Sequence, residues 1–192
     1  VEDIMPEKLI INVNDTCVRE IMCNYITRLL KRQQGLSTNM VIILCIGSDR
    51  YIGDALGPLV GSYLAENTEC IIYGSLEQPV HAGNLVEVIA AIQQQYDQPI
   101  IIAVDACLGK SNEIGNVEIW QGSLEAGIAV GARLPCIGHI SIIGVVNASG
   151  CTGYLDLQNT PLSGVVKLSK CIGSALGDAL NAMQISNAVY KN

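Results

Sequence analysis

Three runs of apolar residues restrict this chain more than any other feature. Met40–Ile46 reads MVIILCI, Ile100–Val104 reads IIIAV and Ile140–Val146 reads ISIIGVV. None keeps a regular alternation of apolar and polar residues. A strand with one wet face alternates, whereas a strand covered on both faces does not. The second pattern belongs to parallel sheets sandwiched between helices.

The segments around these runs supply the covering helices. Asn14-Asp15-Thr16 offers capping side chains for a helix over 16–34, with Val18, Ile21, Ile26, Leu29 and Leu30 on its apolar face and Gly35 as a stop. Asp54–Asn67 reads as a second helix, with Pro58 accommodated in its first turn. Glu69–Gly74 is a short strand, and Asn84–Tyr96 a helix built on Leu85, Val88, Ile89 and Ile92. Residues 115–120 (GNVEIW) alternate, as a strand nearer an edge does. Thr160-Pro161 gives an N-cap with proline at the first helical position, opening a helix to about Gln184. Residues 1–13 read as a lead-in, and the Gly/Ala-rich stretch 121–137 carries no assignable pattern. The order β–α–β–α–β–β–β–α after the first helix predicts a three-layer α/β/α sandwich with a mainly parallel open sheet.

Composition narrows the function classes. At 192 residues the chain reads as one domain, 1–192. Hydrophobic residues make up 49% and charged residues 15%, which excludes a disordered, highly charged tail. Phe is absent and aromatics total 4%, so the core must be built from Ile, Val, Leu and Ala. The net charge of −7, with no cationic stretch denser than Arg28, Lys31 and Arg32, argues against nucleic acid as a partner. The eight cysteines form no CxxC pair, and Cys45 and Cys70 sit in apolar runs, as free buried thiols do. A reducing, cytoplasmic setting is the expectation. No apolar run approaches the ~20 residues of a membrane helix, so no membrane partner is expected.

In a wound sheet, ligands bind beyond the carboxyl ends of the strands, at the crevice where strand order reverses. If the order begins 2-1-3, the first and third strands flank that crevice. The first runs into CIGSDRYIGDALGP (45–58) and the third into VDACLG (104–109), so Asp54 and Asp105 would face one cleft. Two carboxylates in a partly dry crevice can divide acid and base roles, as hydrolysis of an amide requires. The plainer alternatives are a helix N-cap for Asp54 and a turn former for Asp105. The loop Gly47–Gly53 lacks both the P-loop ending and the GxGxxG pattern, and Asp49 would repel a phosphate, so no nucleotide cofactor is expected.

Cys45–Gly61, Gln78–Leu85 (QPVHAGNL), Ile102–Gly109 and Gly138–Asn147 resemble the YyaC-type family of sporulation proteases. The Asp-Ala-Leu-Gly-Pro and Val-Asp-Ala motifs are more distantly similar to the spore germination protease and the hydrogenase maturation proteases. The YyaC-type likeness runs over roughly residues 40–180, and it implies a phosphorylase/hydrolase-like fold and a peptidase with two essential aspartates, carried onto Asp54 and Asp105. In the hydrogenase maturation relatives an acid, an Asp and a His bind a metal in the cleft. Asp54 and Asp105 match the first two, while the His has no secure counterpart.

His81, in the loop after the second strand, could reach the site as an acid–base group or ligand, whereas His139 sits where relatives carry an acid. Cys107 is a further candidate, two residues beyond Asp105, although it lacks a Cys–His signature. Asp49 and Arg50 are expected to form an ion pair that shapes the loop or meets substrate. The leading expectation is a cytoplasmic endopeptidase acting on a protein or peptide, in a sporulating bacterium if the resemblance holds. The alternatives are metal-assisted hydrolysis through a divalent ion on Asp54, Asp105 and His81, and a non-catalytic peptide-binding protein on the same fold.

Overall fold

The computed structural model describes residues 6–33, 40–126, 135–150 and 153–183. Its centre is a six-stranded mixed sheet. In chain order the strands are β1 (Lys8–Asn12), β2 (Val41–Cys45), β3 (Ile71–Tyr73), β4 (Ile100–Gly109), β5 (Asn116–Gln121) and β8 (Ile140–Ala148), with a separate small ribbon of β6 (Leu124–Glu125) and β7 (Cys136–Ile137). The spatial order is β1-β5-β8-β4-β2-β3. Strands β3, β2, β4 and β8 run parallel; β5 is added antiparallel to β8 at one edge, and β1 antiparallel to β5 beyond it. The expected 2-1-3 order is the β3-β2-β4 portion of this sheet.

Both faces are covered, which is why the strands lack alternation. Helices α1 (Val18–Gln33), α2 (Leu56–Asn67) and α5 (Leu162–Ala182) pack on one face through Ile26, Leu29, Leu56, Val60, Ile172 and Leu176. The sheet meets them with Ile43, Cys45, Ile102, Val104, Ile119 and Ile142. Helix α3 (Leu85–Gln95) lies on the other face, where Leu85, Ile89 and Ile92 cover Ile42, Leu44, Ile46, Ile101 and Ala103. Within β2, successive residues therefore serve opposite cores. Burying each such aliphatic side chain contributes about 1.5–3 kcal/mol.

Several expectations are corrected. The lead-in contains β1, an edge strand paired with β5 over Lys8–Asn12. A short helix α4 (Tyr154–Gln158) precedes α5. Thr160 does not cap α5: Pro161 occupies the N-cap, and the Thr160 hydroxyl donates to the Asp156 carbonyl at 2.9 Å. The third apolar strand continues past Val104 to Gly109, because β8 pairs with it as far as Ala148. Of the stretch 121–137, residues 127–134 lie outside the described residues, as does Gln184.

The first turn of α2 lies directly against the end of β2. A Cβ on Gly57 would stand 2.0 Å from the Ile46 carbonyl oxygen. Gly57→Ala must therefore push helix and strand apart. We expect a loss of about 3 kcal/mol or more, which lowers Tm by roughly 6–12 °C. Gly164, in the first turn of α5, has nothing within 4 Å of the corresponding position. Gly164→Ala should be neutral or stabilising by about 0.5–1 kcal/mol. Thermal and urea unfolding of the two variants side by side checks both signs.

Candidate functional site

The parallel pairing of β2 with β4 sets the site. Cys45 pairs with Val104, and the Ile46 N–H donates to the Val104 carbonyl at 2.7 Å. Asp105 follows immediately, inside the strand rather than in a turn, on the face that carries Ile101 and Ala103. It is buried at 8% exposure, and its Oδ1 accepts the Ala106 N–H at 2.7 Å. The turn-former reading of Asp105 is thereby removed.

Beyond β2 the chain makes a tight loop back over the strand end. Gly47 adopts φ +142°, and a Cβ there would stand 2.0 Å from the Asp54 carbonyl oxygen, so only glycine fits. The Ser48 N–H closes the loop by donating to that carbonyl at 3.1 Å. Asp54 lies in a 3-10 turn, Gly53–Ala55, that leads into α2. The N-cap of α2 is Ala55, and Asp54 makes no side-chain cap, so the N-cap reading also falls.

The unforeseen helix α4 buttresses this turn. At Gly53 a Cβ would come within 2.9 Å of both Leu157 Cδ2 and Thr160 Oγ1. Asn147 Nδ2, at the end of β8, donates to the Asp156 carbonyl at 2.9 Å and ties α4 to the sheet.

A third segment completes the cleft. Val80 forms a parallel bridge with Ile46, and the Gly47 N–H donates to the Val80 carbonyl at 2.8 Å. This stitches the loop after β3 beside the end of β2 and delivers His81 to the site. Asp54, Asp105 and His81 line one cleft of about 200 Å³, together with Ser48, Arg50 and Tyr51. Burial pushes the Asp54 carboxyl above the ordinary range, while the Ser48 N–H and His81 pull in the other direction without cancelling it.

The remaining candidates separate. Arg50 is on the cleft rim, its N–H donating to Ser48 Oγ at 3.2 Å. Among the described residues no ion pair joins Asp49 to Arg50; both are exposed, and water screens them from one another. Cys107 does not line the cleft. Burial first, then Glu118 and Asp105, push its thiol up to about 12, which disfavours the thiolate that a nucleophile needs. His139 lies at the opposite end of β4, where its Nδ1 accepts the Ile101 N–H at 3.0 Å and its own N–H donates to the Ile101 carbonyl at 2.7 Å. It extends the sheet and is remote from the carboxylates.

Among the described residues no three His, Cys, Asp or Glu side chains converge closely enough to hold a metal ion. Asp54, Asp105 and His81 share a cleft without closing into a ligand set. A larger hollow, about 870 Å³, lies near His139 at the amino ends of the parallel strands, lined by Gln33, Gln94, Tyr96 and Gln98. It carries no paired acids and sits at the wrong end of the sheet for a switch-point ligand.

Comparison with known proteins agrees with this architecture. A family model described as a protein of unknown function, DUF1256, matches residues 10–175. The uncharacterized protein YyaC of Bacillus subtilis (strain 168) is 41% identical over 138 residues, covering 71% of this chain and 67% of that protein. The crystal structure of the NiFe hydrogenase maturation protease HycI from Thermococcus kodakarensis KOD1 aligns with a TM-score of 0.50 and 22% identity, over 80% of this chain and 99% of that one. At that identity the likeness is one of fold.

Two outcomes follow from these two burial effects. The folded protein holds the Asp54 proton more tightly than the unfolded chain does. Its contribution to stability is complete below the ordinary carboxyl pKa of about 3.8 and is lost as pH rises through the raised value. Asp54→Asn, which is always neutral, should therefore be more stable than the parent to urea at pH 7, and the difference should vanish in acid. Separately, Cys107 should alkylate far more slowly than the exposed Cys17 at pH 7.5, read residue by residue by mass spectrometry.

Proposed function

The chain belongs to the DUF1256 family, and from that premise we propose that it is a peptidase in which Asp54 and Asp105 act as a carboxylate pair. One observation carries the reading. Two acids 51 positions apart line a single cleft at the switch point of the sheet, in unlike surroundings. Similarity of fold to a maturation protease supports the same class of reaction.

The surroundings divide the roles. Asp105 accepts a backbone N–H at 2.7 Å, a bond that is stronger to an ionised oxygen, and it serves as base. Asp54, whose proton burial retains, serves as acid. Asp105 takes a proton from water while the water oxygen bonds to the peptide carbonyl carbon. The carbon–nitrogen bond then breaks, and the leaving nitrogen takes the Asp54 proton. Transfer of the proton on Asp105 back to Asp54, through solvent, restores the starting state. The sum is one peptide bond and one water giving one acid and one amine.

The substrate class is protein or peptide, and the family resemblance directs the search to proteins of sporulating bacteria in the cytoplasm. Among the described residues no helix is long and apolar enough to cross a membrane, and Cys45 and Cys107 are in no disulfide, as a reducing compartment allows.

The test is cleavage of a proteome-derived peptide library and of an extract from sporulating cells, read by mass spectrometry. Asp54→Asn and Asp105→Asn should each reduce turnover by about 10²-fold or more with the fold intact by circular dichroism. Full activity in either variant would falsify the pair. Saturable peptide binding without turnover in the parent would replace this reading with the non-catalytic one.

A further inference from the structure

Resting on the carboxylate-pair reading, the geometry points to His81 as the electrophilic member of the site, a neutral imidazole whose Nε2–H is held ready to receive the carbonyl oxygen of the scissile peptide. Three features carry this assignment. The loop bearing His81 is fixed at both ends of the residue. Its backbone N–H donates to Asn84 Oδ1 at 2.8 Å, its carbonyl accepts the N–H groups of Asn84 and Leu85 at 3.0 and 2.9 Å, and Asn84 Nδ2 donates to the Pro79 carbonyl at 3.1 Å. Asn84, at the head of α3, thus gives up capping its own helix to hold this loop.

The ring itself is also fixed. His81 Nδ1 accepts the Gly83 N–H at 3.1 Å. A nitrogen that accepts an N–H carries no proton, so the neutral ring bears its hydrogen on Nε2. Gly83 permits the approach: a Cβ there would press on Cε1 and Nδ1 at 3.1 and 3.2 Å.

The third feature is placement. His81 lines the cleft that holds Asp54 and Asp105, and among the described residues Nε2 makes no hydrogen bond. A ring held solely to stabilise the loop would need only Nδ1. His81 instead lines a cavity large enough for a peptide carbonyl, in the same cleft as the two carboxyls. A donor aimed at the oxygen where negative charge develops acts on the transition state, and loss of one such donor typically reduces kcat by about 10²–10³-fold.

Two substitutions separate the ring's nitrogens. In His81→Asn, Oδ1 stands where Nδ1 was and still accepts the Gly83 N–H, but the far donor is gone. In His81→Gln, an amide N–H stands where Nε2 was. On a peptide that the parent cleaves, His81→Asn should lower kcat by about 10²-fold with KM changed less than about threefold, and His81→Gln should recover roughly tenfold of that loss. Long-range ¹H–¹⁵N spectra of the parent should show the neutral His81 ring protonated on Nε2. Unchanged kcat in His81→Asn, or a neutral ring protonated on Nδ1, would overturn the assignment while leaving the carboxylate pair standing. Absence of turnover in the parent would instead remove the carboxylate pair and this role together.

Discussion

The parallel contact between Cys45 of β2 and Val104 of β4 governs everything that follows in this molecule. It is the last regular pairing of those two strands. Immediately beyond it the chains diverge, one into the loop 46–54 and the other onward along β8, and the space opened between them is the cleft. Asp105 is placed by strand register, the most rigid device the fold has. Asp54 is placed less directly, by a loop whose return over β2 is possible only because residues 47 and 57 lack side chains. A one-residue slip of β4 would turn Asp105 to the opposite face, toward α2 and α5, because side chains alternate along a strand.

The two acids therefore differ for structural reasons. Asp105 sits on a strand whose next N–H turns back to its own oxygen, while Asp54 sits at a helix entrance covered by α4. A polar bond compensates the first charge and a mostly apolar cover opposes the second. Unlike surroundings on a shared cleft are the condition for dividing acid and base work between chemically identical groups.

The sequence disclosed this arrangement unevenly. The sheet was legible because β2 and β4 serve two cores and so carry apolar residues at every position, whereas its 2-1-3 beginning was a condition that apolar content does not supply. Asp105 was legible because an acid directly after such a run stands out, and Asp54 because it ends the loop into which the other run leads. β1 was not: KLIIN pairs along one edge only, and because the outward-facing Ile10 is as apolar as its covered neighbours Leu9 and Ile11, the sequence hides the alternation that the strand has. α4 escaped for a related reason, since five residues hold too little of a helical period to recognise, and its place depends on Asn147 and Thr160, each bonded to the same carbonyl from a different element. The length of β4 was hidden by Asp105 itself, which reads as a turn when its parallel neighbour is unknown. The signal for His81 was the stretch Pro79–Asn84, where a proline, a glycine and an asparagine surround one histidine, the composition of a loop held by its own side chains.

Such a loop also explains why the cleft is built from three separate segments rather than from one motif. Residues 46–54 supply Asp54, β4 supplies Asp105, and 79–84 closes the third side through the bond between Gly47 and Val80. Each segment is anchored to β2 or β4 by backbone hydrogen bonds, so the relative positions of the three side chains are inherited from the sheet. Backbone bonds to a buried strand end are costly to break, because a freed carbonyl or N–H there loses its partner without regaining water. The cleft thus takes its backbone frame from the centre of the sheet, while its contents can vary by substitution at a few side chains. A fold with this division can keep one architecture and change its chemistry, which is why likeness of fold at 22% identity says less about the reaction than the identity and placement of the residues in the cleft.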